Sequence, residues 1–151
     1  MANCCLTEIT FSGQQTKLAL LEQKIKEWTS KDFYPNGWGG NWLGNICLGA
    51  GILSKEDMAQ DICKYRCRGI VCHVELRNQE LLVDTETAWV PMVKMWEAVL
   101  ESLGIQDDVD FVYTATEEGC EVYWTNDPAM VGEEYNEHKY IYVPLYDPEL
   151  D

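Results

Sequence analysis

Apolar and polar residues alternate from the start of the chain. Cys5, Thr7, Ile9 and Phe11 share one face by period two, which predicts a strand over Cys5–Phe11. Ser12 then reads as a helix cap, with Gln15 three residues on as its capping-box partner. The period changes to helical behind it. Leu18, Leu21, Ile25 and Trp28 fall on one stripe of a helix ending near Ser30. Residues 34–51 are rich in glycine and aromatics and read as a loop whose tryptophans, Trp38 and Trp42, pack onto the protein's own core. Ser54 with Asp57 starts a second helix, striped by Met58, Ile62 and Tyr65 and ending near Gly69.

The second half is richer in strands. Gly69–Arg77 places Ile70, Cys72, Val74 and Leu76 on one face and Val71, His73 and Glu75 on the other. Asn78-Gln79 turns the chain into a partner strand from Glu80 to Thr87. Pro91 fits a helix's first turn, Val93, Trp96, Val99, Leu100 and Leu103 make the helix amphipathic, and Gly104 stops it. Strands follow over Val109–Thr116, Cys120–Asn126 and Lys139–Val143, with an acidic loop over 127–138. The order predicts one α+β domain over residues 1–151 of the ferredoxin-like (split βαβ) type. Its antiparallel sheet carries helices on one face, an extra helix before strand 2 and an extra C-terminal strand or hairpin.

Charge changes the picture most. The chain holds 26 acidic and 11 basic residues, a formal net charge of −15. Residues 101–151 contain 14 acidic residues and one basic residue, Lys139. Such a surface repels phosphate backbones, so direct nucleic-acid binding is not expected. It attracts a basic protein groove. Glu117, Glu118, Glu121, Asp127, Glu133 and Glu134, interleaved with Trp124 and Tyr135, are the candidate partner-binding residues. Carboxylates pair with guanidinium groups while rings supply buried area. A solvated acidic hairpin is the plainer alternative.

Seven cysteines, an odd number, fit reduced thiols in a cytoplasmic protein better than a disulfide scaffold. No apolar stretch reaches membrane-span length, and the N-terminus lacks the pattern of a secretory signal. Cys63, Cys67, Cys72 and His73 fall where a helix meets a strand, with Cys47, Cys4 or Cys5 as a further ligand. They are candidates for a structural zinc, although C-x3-C-x4-C-H is not a standard finger spacing. Buried small hydrophobes are the alternative. The same residues suggest a rival function, a small zinc-dependent or thiol enzyme using Cys67, Cys72 and His73.

Met1-Ala2-Asn3-Cys4-Cys5, the strand end Ile9–Gly13 and the segment Asp84–Pro91 resemble a YubB-like family of phage and conjugative-plasmid proteins. Members commonly begin Met-x-Asn-Trp-Cys, so Cys4 stands where they carry tryptophan. The resemblance implies a ferredoxin-like domain from a mobile element and brings no catalytic residues. With the acidic charge, it leads to the expectation of a non-enzymatic anti-defence protein, an anti-CRISPR-like inhibitor. It would be a monomer or small oligomer in a bacterial cytoplasm, bound to the basic nucleic-acid-binding surface of a host nuclease. A structural interaction module without activity of its own is the third reading.

Overall fold

The computed structural model describes residues 4–30, 39–59, 68–88, 90–117, 119, 121–135 and 140–144. Five strands are formed: β1 (Cys4–Gly13), β2 (Gly69–Arg77), β3 (Glu80–Ala88), β4 (Val109–Glu117) and β5 (Val122–Thr125). Among the described residues four helices accompany them: α1 (Gln15–Thr29), α2 (Leu43–Gly49), α3 (Lys55–Met58) and α4 (Val93–Ser102). The fold is a mixed α+β structure around one open sheet in the order β2-β3-β1-β4-β5, with every ladder antiparallel.

Alternation decides which face of the sheet is covered. Cys5, Ile9 and Phe11 of β1, Leu81 and Val83 of β3, and Val109, Tyr113 and Ala115 of β4 are buried. They form one core with Leu18, Leu21, Ile25 and Trp28 of α1 and Met95, Trp96, Val99 and Leu100 of α4. Phe11 sits at its centre, edge-on to Trp96 at 5.6 Å and tilted against Phe111 at 5.3 Å. Each fully buried side chain of this size contributes roughly 1.5–3 kcal/mol. The predicted stripe of α1 is the buried stripe, and Gly104 terminates α4 in the left-handed region at φ +68°.

Several details differ from expectation. Ser12 belongs to β1, paired with Glu80 and Asp110, so α1 begins after Gln14 with no side-chain cap. Gln15 Oε1 instead accepts from the Gln79 amide at 2.8 Å and ties the helix start to the β2–β3 turn. Residues 43–49, read as loop, form α2. Its glycines, which suggest a loop, are contact positions: a Cβ at Gly44 or Gly49 would meet a tryptophan ring, Trp42 or Trp28. Trp42 is buried, as its expected core role requires. Trp38 lies outside the described residues. Ser54 and Asp57 form the expected capping box, and the helix runs over Lys55–Met58 with Ala59 as its C-cap, while 60–67 of the predicted second helix lie outside the described residues.

The faces of β2 were also misread. The β2–β3 register shifts between Val71 and His73, and the extra residue is Cys72. A bulge of this kind puts two residues opposite one and resets the alternation. Val71, not Cys72, therefore enters the core, opposite Thr85, and Val74 and Leu76 follow opposite Val83 and Leu81. Beyond β5 the chain doubles back. The Tyr135 amide donates to the Tyr140 carbonyl, and Val143 pairs with Trp124 in a parallel bridge.

Candidate acidic interaction face

Among the described residues no helix packs a core on the other face of the sheet. Directly opposed residues in antiparallel strands point to the same side, so the ladders define rows across this face. One row is Ile70, Glu86, Leu6, Thr116 and Tyr123. The next is His73, Asp84, Glu8, Thr114 and Thr125. Then come Glu75, Leu82, Thr10 and Val112, and last Arg77, Glu80, Ser12 and Asp110. Each of these four rows bears a carboxylate: Glu8, Glu75, Glu80, Asp84, Glu86 and Asp110 share them with Arg77, and the end row Cys4–Ala88, beside exposed Arg68, bears none. Glu75 takes both nearby bases, Arg77 at 3.0 Å and His73 at 3.7 Å. Leu6 is 54% exposed among these groups and Val112 36%.

The C-terminal segment borders this face. Tyr123 stacks on Tyr140 with ring centres 4.8 Å apart and lies 4.7 Å from Tyr135, with Tyr142 edge-on at 6.3 Å. Burial is the main cause that raises the Tyr142 phenol above its ordinary value, with Tyr135 and Glu8 adding to it.

The candidate partner-binding residues separate into different settings. Glu133 and Glu134 are exposed on the returning segment. Glu121 is exposed, and its Oε1 accepts from the Tyr140 hydroxyl at 3.0 Å. Asp127 is half-buried and its Oδ1 accepts from the Ala129 amide, so it shapes a turn. Trp124 is half-buried against the core, and Tyr135 belongs to the tyrosine cluster. Glu117, expected on the acidic surface, is only 4% exposed and accepts from the Gly119 amide at 2.9 Å. Its position opposite Val122 on the core side of β4 accounts for this. Glu118 lies outside the described residues.

The candidate zinc ligands do not come together where they are described. Cys47 is fully buried in α2, Cys72 is exposed at the bulge, and His73 is exposed on the acidic face. Cys63 and Cys67 lie outside the described residues. Among the described residues no three His, Cys, Asp or Glu side chains converge as metal ligands. Burial, then Glu86 and Asp84, raise the Cys72 thiol above its ordinary value. A nucleophilic thiol needs the opposite shift.

The sequence reading missed Glu8, which stands opposite Asp84 on this face. The available signal was the alternation of β1, which already turned Glu8 away from the core. Among the described residues no helix is long and apolar enough to cross a membrane. No family model matches this chain, and no curated protein or solved structure does so either.

Proposed function

We propose that the protein is a non-enzymatic inhibitor that docks its acidic sheet face onto a basic, nucleic-acid-binding surface of another protein. The observation that carries this reading is the gathering of six carboxylates around Arg77 in four neighbouring rows on the side of the sheet away from the core. Rows of fixed negative charge, with Leu6 and Val112 between them, suit an arginine- and lysine-rich groove that otherwise holds a phosphate backbone. Exposed Glu121, Glu133 and Glu134 extend the charge past the tyrosine cluster.

In this reading the fold is ferredoxin-like. The support is that β3 lies between β1 and β2, the split βαβ arrangement, with β5 added beside β4. The resemblance of the chain's start to phage and plasmid proteins makes a bacterial defence nuclease, such as a CRISPR effector, the partner class. Cytoplasmic action in the host belongs to the same proposal.

The test is phage plating efficiency on hosts carrying a panel of CRISPR and restriction systems, with and without this protein. Restored plating against one system, lost when Glu8, Asp84 and Glu86 are all replaced by lysine, supports the reading. Restored plating that survives this charge reversal removes the sheet face from it. No effect across the panel removes the anti-defence role.

A further inference from the structure

The two edges of the sheet are finished differently. Along β5 the returning chain covers the edge. The Thr125 amide donates to the Val143 carbonyl at 2.9 Å, and the Val143 amide donates to the Tyr123 carbonyl at 2.8 Å. Along β2 the cover reaches only the start of the strand. The Val71 amide donates to the Asn41 carbonyl at 2.9 Å, and the Asn41 side chain donates to the Val71 carbonyl at 3.0 Å. The bulge at Cys72 comes next.

Beyond the bulge the edge is open. Hydrogen bonding alternates along an antiparallel strand. Arg77 and Glu80 close the hairpin, so Arg77, Glu75 and His73 bond inward to β3. Val74 and Leu76 therefore turn their amides and carbonyls outward, and among the described residues nothing bonds to them there. Such a row of groups is a template for another strand. The side chains of Val74 and Leu76 point to the helix side, yet both residues are only half-buried.

The neighbouring charges select the occupant. Glu75 and Arg77 flank Leu76 on the acidic face, with side chains 44% and 58% exposed. This order is self-complementary. An antiparallel copy centred on Leu76 sets Glu75 against Arg77 of the second copy, and Arg77 against its Glu75, and opposed pairs of this kind are favourable. Centred on Glu75, the copies would oppose two like carboxylates. Centred on Val74, the second copy would run into Asn41, which already holds Val71.

We propose that β2 pairs antiparallel with β2 of a second copy of this chain about a two-fold axis at Leu76, joining the two five-stranded sheets edge to edge. Main-chain bonds at Leu76 and Val74 hold the copies together, and the two Leu76 side chains meet on the helix side. The crossed Glu75–Arg77 pairs fix the register. The two acidic faces then lie side by side on one surface. The pairing does not depend on the function proposed above.

The experiment is sedimentation equilibrium of the full chain over a concentration series. It is run at about 0.15 M salt, where screening over about 8 Å limits repulsion between two copies of net charge −15. A monomer–dimer equilibrium is expected. E75R places two cations in each crossed pair and R77E two carboxylates, so each variant alone dimerises roughly ten- to thirtyfold more weakly. Mixed in equal amounts, the two variants oppose unlike charges again and recover a 1:1 dimer. That recovery is intermolecular, so a change within either fold cannot produce it, and thermal unfolding checks that each variant is folded.

A chain that stays monomeric throughout the series overturns the proposal. So does a dimer that both variants retain, which would place the contact elsewhere, or a mixture that recovers nothing.

Discussion

Glu8 and Asp84 face each other directly across the β1–β3 ladder on the exposed side of the sheet. Like charges in that position destabilise a sheet. An opposed lysine and carboxylate contribute roughly 0.2–1 kcal/mol instead. Glu8→Lys should therefore raise stability by about that amount while weakening attachment to a basic partner. Denaturant unfolding and partner capture, measured on the same variant, check the two signs. A variant both less stable and equally competent in binding would show that the repulsion has no role in docking.

Glu86 governs two thiols. Cys4 donates to its carboxylate at 3.1 Å, and that bond is the largest cause raising the Cys4 thiol above its ordinary value. The same carboxylate helps raise Cys72. Glu86→Gln removes the charge and lowers both thiols, so more thiolate is present at pH 8. Alkylation followed by mass spectrometry should show Cys4 and Cys72 reacting faster in the variant. Unchanged rates at both would sink the assignment.

Burial pushes the Cys5 thiol up to about 11 from an ordinary 9.0. The sign follows from linkage. Below pH 9 the thiol is protonated in both folded and unfolded chains, and its full contribution to stability is present. Between pH 9 and 11 the unfolded chain ionises first, and stability falls by up to about 3 kcal/mol. Cys5→Ala should flatten the loss in that window. Urea unfolding at pH 8 and pH 10.5 for both proteins separates this thiol from the tyrosines and lysines that also titrate.

At Gly49 two rules of opposite sign compete. Alanine in place of a helical glycine stabilises by about 0.5–1 kcal/mol on propensity alone. Here its Cβ would enter the Trp28 ring near Cγ, where the side chain has little freedom and is 5% exposed. Overpacking of this kind costs roughly 1–3 kcal/mol. Gly49→Ala should therefore lower the midpoint of thermal unfolding, and a raised midpoint would refute the contact.

What the sequence revealed was what neighbours along the chain decide. The stripe of α1, the Ser54–Asp57 capping box, the stop at Gly104 and the limits of β2 and β4 are local events. Partners distant in sequence decided the rest. Ser12 is strand because Glu80 and Asp110 flank it, and Gly49 of α2 lies where the distant Trp28 ring leaves no room for a Cβ. Cys72 carries no local mark of a bulge. The acidic face was hidden for the same reason. Its carboxylates come largely from the nearly neutral first hundred residues, and only the strand order gathers them. The C-terminal charge that dominated the composition proved partly structural, with Glu117 turned inward and Asp127 holding a turn.

The strand order has a consequence for synthesis. β1 is made first yet lies between β3 and β4, so neither of its ladders can form until the chain has grown well beyond it. The β1–β4 ladder must wait for Thr116 to leave the ribosome. Until then one edge of β1 stays unpaired, and a nascent chain stalled before Val109 lacks half of the centre of its sheet. Pairings this remote in sequence form slowly and expose the chain to aggregation. Assembly of the sheet is thus committed to wait for β4.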